Sequence, residues 1–124
     1  MVKINYINRL INNQILLVCI GSIPGALLRW QLNNDFWSNI IGSTFLGFIL
    51  GCRFNSHGQV LLGIGFCGSM TTFSGWIFDS YQVLTHASFP RGMFLLLSTL
   101  FLGFFSLLVG FLFGTKIRQS FRPQ

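Results

Sequence analysis

The sequence predicts an all-α membrane protein of four transmembrane helices with a break in the third. Three observations predict it. The chain is 52% hydrophobic and only 8% charged, with a mean hydropathy of +0.65, which overrides the soluble expectation for 124 residues. Four apolar segments are each long enough to cross a bilayer core about 30 Å thick, which needs roughly 20 residues of helix. Within the third of them lies Gly68-Ser69-Met70-Thr71-Thr72-Phe73-Ser74, a small and hydroxyl-rich run where lipid forbids unsatisfied backbone.

The four spans of this single membrane domain, residues 1–124, fall near 13–32, 36–54, 59–84 and 92–114. Asn33-Asn34-Asp35 separates the first pair, Asn55-Ser56-His57-Gly58 the second and third, and His86-Ala87-Ser88-Phe89-Pro90-Arg91 the last two. Connections this short make sequence neighbours pack antiparallel. The first eleven residues, bearing Lys3 and Arg9, read as a short interfacial segment, and Lys116–Gln124 as an exposed, mobile tail. The apolar run from Gln14 to Leu28 meets Arg29 with no small-residue cleavage pattern, unlike a cleaved signal peptide.

Small residues recur at helical spacing: Gly21 and Gly25; Ser43, Gly47 and Gly51; Ser106, Gly110 and Gly114, with Gly103 nearby. A spacing of four puts each set on one helix face, where backbones in lipid approach closely. Four short helices enclose little interior, so some of these stripes are expected to face another subunit.

The net charge of +6 comes from eight scattered Lys and Arg, with no aromatic-interleaved basic patch of the kind that binds nucleic acid. Four spans place both termini and the second connection on one side, which carries Lys3, Arg9, Arg53, Lys116, Arg118 and Arg122, against Arg29 and Arg91 on the other. That bias favours cytoplasmic termini.

Catalysis is not indicated. Asp35 and Asp79 are the only carboxylates, and neither has a His at helical spacing; Ser69, Thr71, Thr72 and Ser74 have no base near them in sequence. Cys19, Cys52 and Cys67 sit in or beside apolar segments without metal-type spacing and read as small hydrophobes.

Uncharged donors at membrane depth remain. Asn39 and Ser43 share a helix face, Thr71, Thr72 and Ser74 line the break, and Ser98, Thr99 and Ser106 lie on the fourth span. Each alone suits an interhelical hydrogen bond; in series they form a donor track. Phe73 and Trp76, three apart, read either as packing or as ring edges whose positive rim faces an anion. Arg29 reads as snorkelling, structural or anion-attracting. Stripping water from a small anion requires replacement donors, while a fixed buried cation would hold it too tightly to release. Neutral donors and ring edges meet both demands.

Three stretches resemble the motifs of the CrcB/Fluc fluoride channels. Gly21-Ser22-Ile23-Pro24-Gly25-Ala26-Leu27-Leu28-Arg29 resembles their opening Gly-Gly-x-x-Gly-Ala-x-x-Arg. Asn39-Ile40-Ile41-Gly42-Ser43-Thr44-Phe45-Leu46-Gly47 resembles the second-helix motif, and Gly65-Phe66-Cys67-Gly68-Ser69-Met70-Thr71-Thr72-Phe73-Ser74 the Gly-x-Cys-Gly-Gly-x-Thr-Thr-Phe-Ser signature. The resemblance implies a passive fluoride exporter of the bacterial inner membrane, built as an antiparallel dual-topology dimer with two pores and a structural sodium ion at the subunit interface. Carried over by motif, the carbonyls of Gly68 and Thr71 would hold the sodium. Phe73 and Trp76 would take the pore phenylalanine positions, Asn39 the pore asparagine and Arg29 the motif arginine, with Ser43, Thr72 and, on the fourth span, Thr99 or Ser98 as further pore groups.

The chain departs from these motifs at Ser22 and Ser69, where the pattern has glycine, and at Trp76, where phenylalanine is common. Its charge bias opposes insertion in both orientations, which sets a heterodimer with a paralogue of opposite bias beside a homodimer as an equal expectation. Two rival readings stand beside the channel. A four-helix exporter of organic cations would call for a membrane-embedded carboxylate, and the first span has none. A non-transporting scaffold would explain the small-residue stripes but leave the polar break without a purpose.

Overall fold

The computed structural model describes residues 2–121, with side chains described from residue 13 onward. Helix α1 (Val2–Leu32) ends where Asn33 turns to a left-handed conformation and its N–H reaches the Arg29 carbonyl at 3.2 Å. Asparagine tolerates that region better than branched residues do. Asn34 then caps α2 (Asp35–Cys52), its Oδ1 accepting from the Trp37 N–H at 3.1 Å. The turn of α3 (Ser56–Gly58), capped by Asn55, leads into a π-helical stretch, Gln59–Cys67, and a last helical turn, α4 (Gly68–Met70). Thr71 and Thr72 are extended, with φ and ψ of −84° and 151°, and −140° and 122°. Helix α5 (Phe73–His86) follows, and α6 (Phe89–Ser120) opens with Pro90 in its first turn, where a missing N–H is harmless.

Three stretches are long and apolar enough to cross a membrane: Asn13–Leu32, Ser56–His86 and Phe89–Ser120. The second expected span, 36–54, forms α2 but is not among them. It has 18 residues, about 27 Å at 1.5 Å per residue, and it carries Asp35, Ser38, Asn39, Ser43 and Thr44. The tail expectation is also revised, because α6 stays helical through Lys116 to Ser120. At the other end α1 is helical from Val2; the side chains of Lys3 and Arg9 lie outside those described, so the interfacial role assigned to that segment does too, and the rest of the expected tail, 122–124, also lies outside the described residues.

The helices meet backbone to backbone. Among the described residues the buried hydrophobic side chains are only Ile49, Cys67 and Met70, too few to form a conventional core. A Cβ at Gly21 would strike the Leu61 carbonyl and one at Gly25 the Phe66 carbonyl, which joins α1 to the π-helical stretch. Across the α2–α6 seam the approach is reciprocal: Gly47 lies against the Leu107 carbonyl, Gly51 against that of Phe111, Gly110 against Thr44 and Gly114 against Phe48. These six glycines are therefore used inside one chain. Gly103 differs, with Ser43 Oγ 3.7 Å from where its Cβ would be.

Candidate functional site

Extended backbone at membrane depth frees polar groups that must find partners. Thr72 caps α5 with its own hydroxyl, which accepts from the Gly75 N–H at 3.1 Å. From α2, Asn39 grips the other side of the same residue: its Oδ1 accepts the Thr72 N–H at 2.7 Å, and its Nδ2 donates to the Thr72 carbonyl at 3.0 Å. One residue earlier, buried Ser38 donates to the Met70 carbonyl at 2.8 Å. Thr71 turns inward, its N–H and its hydroxyl both reaching the Cys67 carbonyl at 3.0 Å. Gly42 makes room for this arrangement, since a Cβ there would lie 2.5 Å from Thr71 Cγ2.

The same bonds leave two acceptors over. In a continuous helix the Thr72 N–H would serve the Gly68 carbonyl, and the Gly75 N–H that of Thr71. Here those donors go to Asn39 Oδ1 and Thr72 Oγ1. Two backbone oxygens without their helical donors form the kind of hard, neutral ligand set that suits an alkali or alkaline-earth cation, so Gly68 and Thr71 fit the sodium role that the resemblance implies.

A groove of about 440 Å³ runs between α2, the break and α6. Asn39, Ser43, Gly68, Thr71, Thr72, Phe73, Trp76 and Thr99 all line it, and no lining residue is charged. Phe73 is 73% exposed, and its ring meets that of Trp76 edge to face, centroids 5.4 Å apart at 70°. Thr99 is buried, with its hydroxyl returned to the Leu95 carbonyl at 2.8 Å. Leu100, Gly103, Phe104 and Leu107 add an apolar wall from α6.

Arg29 stands apart. With Asn33, Asn34, Asp35 and Asp79 it lines a second, polar hollow of about 420 Å³. Asp35 joins that hollow to the break, because its carboxylate rests on the Cα of Gly75. Ser38 was not among the expected site residues although it holds the break from α2; a hydroxyl beside Asn39 at membrane depth was the signal that could have found it.

Helices long and apolar enough to cross a bilayer, flanking an open and uncharged groove beside an interrupted helix, define the class as an integral membrane protein of the α-helical type. The chain belongs to the CrcB family, matching the group described as CrcB-like protein, Camphor Resistance (CrcB), over residues 16–111. It is 50% identical over 111 residues to Fluoride-specific ion channel FluC 1 of Prochlorococcus marinus, covering 90% of both chains. It is 41% identical to Fluoride-specific ion channel FluC 2 of another Prochlorococcus marinus strain over 108 residues, 87% of each chain. The corresponding FluC 2 of Parasynechococcus marenigrum is 37% identical over 116 residues, 90% of this chain and 88% of that one. No solved structure matches the chain.

Proposed function

We propose that this chain is a fluoride-specific ion channel that lets the anion leave the cytoplasm down its gradient and so limits its toxicity. The observation that carries the reading is the groove: an uncharged, largely apolar wall with amide, hydroxyl and aromatic side chains gathered around one helix interruption. Such a surface holds no fixed charge to trap a small anion, and ring edges and donors not already bonded within the chain can stand in for its water. The names of the relatives supply the ion.

The absence of a carboxylate among the groove residues speaks against coupled export of an organic cation, and the groove itself against a pure scaffold. The same uncharged wall offers no acid, base or nucleophile pair for catalysis.

In the working assembly two chains would lie antiparallel in the inner membrane, the partner being a second copy or a paralogue of opposite charge bias. The Gly68 and Thr71 carbonyls would hold a structural sodium ion there. Asn39, Ser43, Thr72, Phe73, Trp76 and Thr99 would line the conduction path. Arg29, in its separate polar hollow, would act at the approach to it.

Fluoride efflux from liposomes holding only this purified protein, with chloride as control, tests the reading. Fluoride-selective efflux is expected; equal rates for both anions would overturn it. Tagging both termini in cells and scoring their accessibility decides the partner, since equal populations of two orientations exclude the paralogue.

A further inference from the structure

The groove contains more donors than it can offer to an ion. Asn39 Nδ2 is committed to the Thr72 carbonyl, the Thr71 hydroxyl to that of Cys67 and the Thr99 hydroxyl to that of Leu95. Thr72 Oγ1 already accepts from Gly75 and lies 3.3 Å from Ser74 Oγ. Among the lining residues, Trp76 is the one whose side-chain donor is both buried and without an acceptor.

Burial is what makes that donor informative. An exposed indole N–H is always satisfied by water, whereas a buried one is satisfied only by a specific acceptor, and leaving the bond unmade is costly. The indole packs edge to face on Phe73, in a wall that offers no charged side chain. We infer that the Trp76 N–H is a directed anion donor of this groove, reached by a small turn of the ring about its soft terminal torsion, and that it sets selectivity among anions. The inference rests on the fluoride reading above.

The chemistry differs from that of a ring edge. Aromatic C–H groups present a diffuse positive rim, while an N–H gives one linear bond that strengthens as the acceptor becomes smaller and more basic. Bonds to a charged acceptor are roughly twice as strong as neutral ones. The position would therefore favour fluoride over chloride more sharply than phenylalanine can.

The test replaces Trp76 in the full-length protein by 3-benzothienylalanine, which keeps the bicyclic shape and puts sulfur in place of N–H, with Trp76→Phe alongside. In liposomes the isostere is expected to conduct fluoride about tenfold more slowly, the equivalent of one charge-assisted hydrogen bond. On the wild-type protein, the indole ¹H–¹⁵N resonance absent from Trp76→Phe is expected to move downfield with sodium fluoride and stay fixed with sodium chloride. An isostere as fast as wild type, or a resonance indifferent to fluoride, overturns the role of the N–H while leaving the channel intact. Wild-type protein that passes chloride as fast as fluoride overturns the channel reading and this one with it.

Discussion

The hydroxyl of Ser69 donates to the backbone carbonyl of Ser22 at 3.0 Å. These are the two positions where the motifs that the chain resembles carry glycine, and the structure brings them together across the seam between α1 and α4. Ser22 Oγ in turn bonds to the Val18 carbonyl at 2.7 Å and lies 3.4 Å from that of Gly65. Two departures that look independent in sequence are one local solution: each hydroxyl is turned to backbone acceptors at the seam.

Ser69→Ala is accordingly expected to lower stability by about 0.5–1.5 kcal/mol, the net worth of one such bond, with flux retained. Ser69→Val is expected to cost more, since Ser69 Oγ already sits where a Cβ on Gly25 would be. Unfolding of the purified protein in detergent, followed by circular dichroism, measures both. An alanine variant as stable as wild type would show the bond to contribute nothing.

Gly47→Ala and Gly110→Ala would each push a methyl into a backbone carbonyl across the α2–α6 seam. Backbone cannot step aside as a side chain can, so each is expected to cost about 1–3 kcal/mol or more. Gly63→Ala is the control: its Cβ would meet Leu46 Cδ1 at an ordinary 3.5 Å. A Gly47→Ala protein with the unfolding midpoint of Gly63→Ala would contradict the close seam.

Phe73 is largely exposed, so Phe73→Ile is expected to leave folding nearly unchanged, within about 0.5 kcal/mol. Its fluoride efflux is expected to fall at least tenfold if a ring edge faces the ion, a loss of about 1.4 kcal/mol. Efflux equal to wild type removes this residue from the path.

Asn39→Asp keeps the acceptor for the Thr72 N–H but loses the donor to its carbonyl and brings negative charge toward the groove. Suppressed fluoride flux with assembly largely preserved is expected, read by efflux and by size-exclusion chromatography. Asn39→Leu, which orphans both Thr72 groups, is expected to destabilise by about 2 kcal/mol or more.

Replacing sodium by N-methyl-D-glucamine in every buffer is expected to lower the thermal stability of the wild-type protein, with lithium or potassium restoring it incompletely. The comparison tests the proposed cation role of the Gly68 and Thr71 carbonyls without any mutation. Identical melting curves in the two media would remove it.

Much of this was legible in the residues. A hydroxyl-rich run inside an apolar stretch marked the place where Thr71 and Thr72 leave the helix, because side chains that cap helices advertise themselves by type. Helix ends were less legible. Hydropathy marks where a chain meets water, and Lys116 suggested an edge there, but nothing between Gly114 and Ser120 stops a helix. The π-helical stretch packs on α1 and the grip of Ser38 comes from α2, tertiary relations that no local pattern encodes. The pairing of Ser22 with Ser69, 47 residues apart, is hidden for the same reason.

The two-point grip of Asn39 on Thr72 shapes the groove from one side. A side-chain amide carries the same donor and acceptor pair as a peptide group, so α2 offers Thr72 a mock strand neighbour supplied by its own chain. The interrupted segment is thereby shaped from within: the turn of the chain at Thr72 is set by a side chain 33 residues away in the same polypeptide.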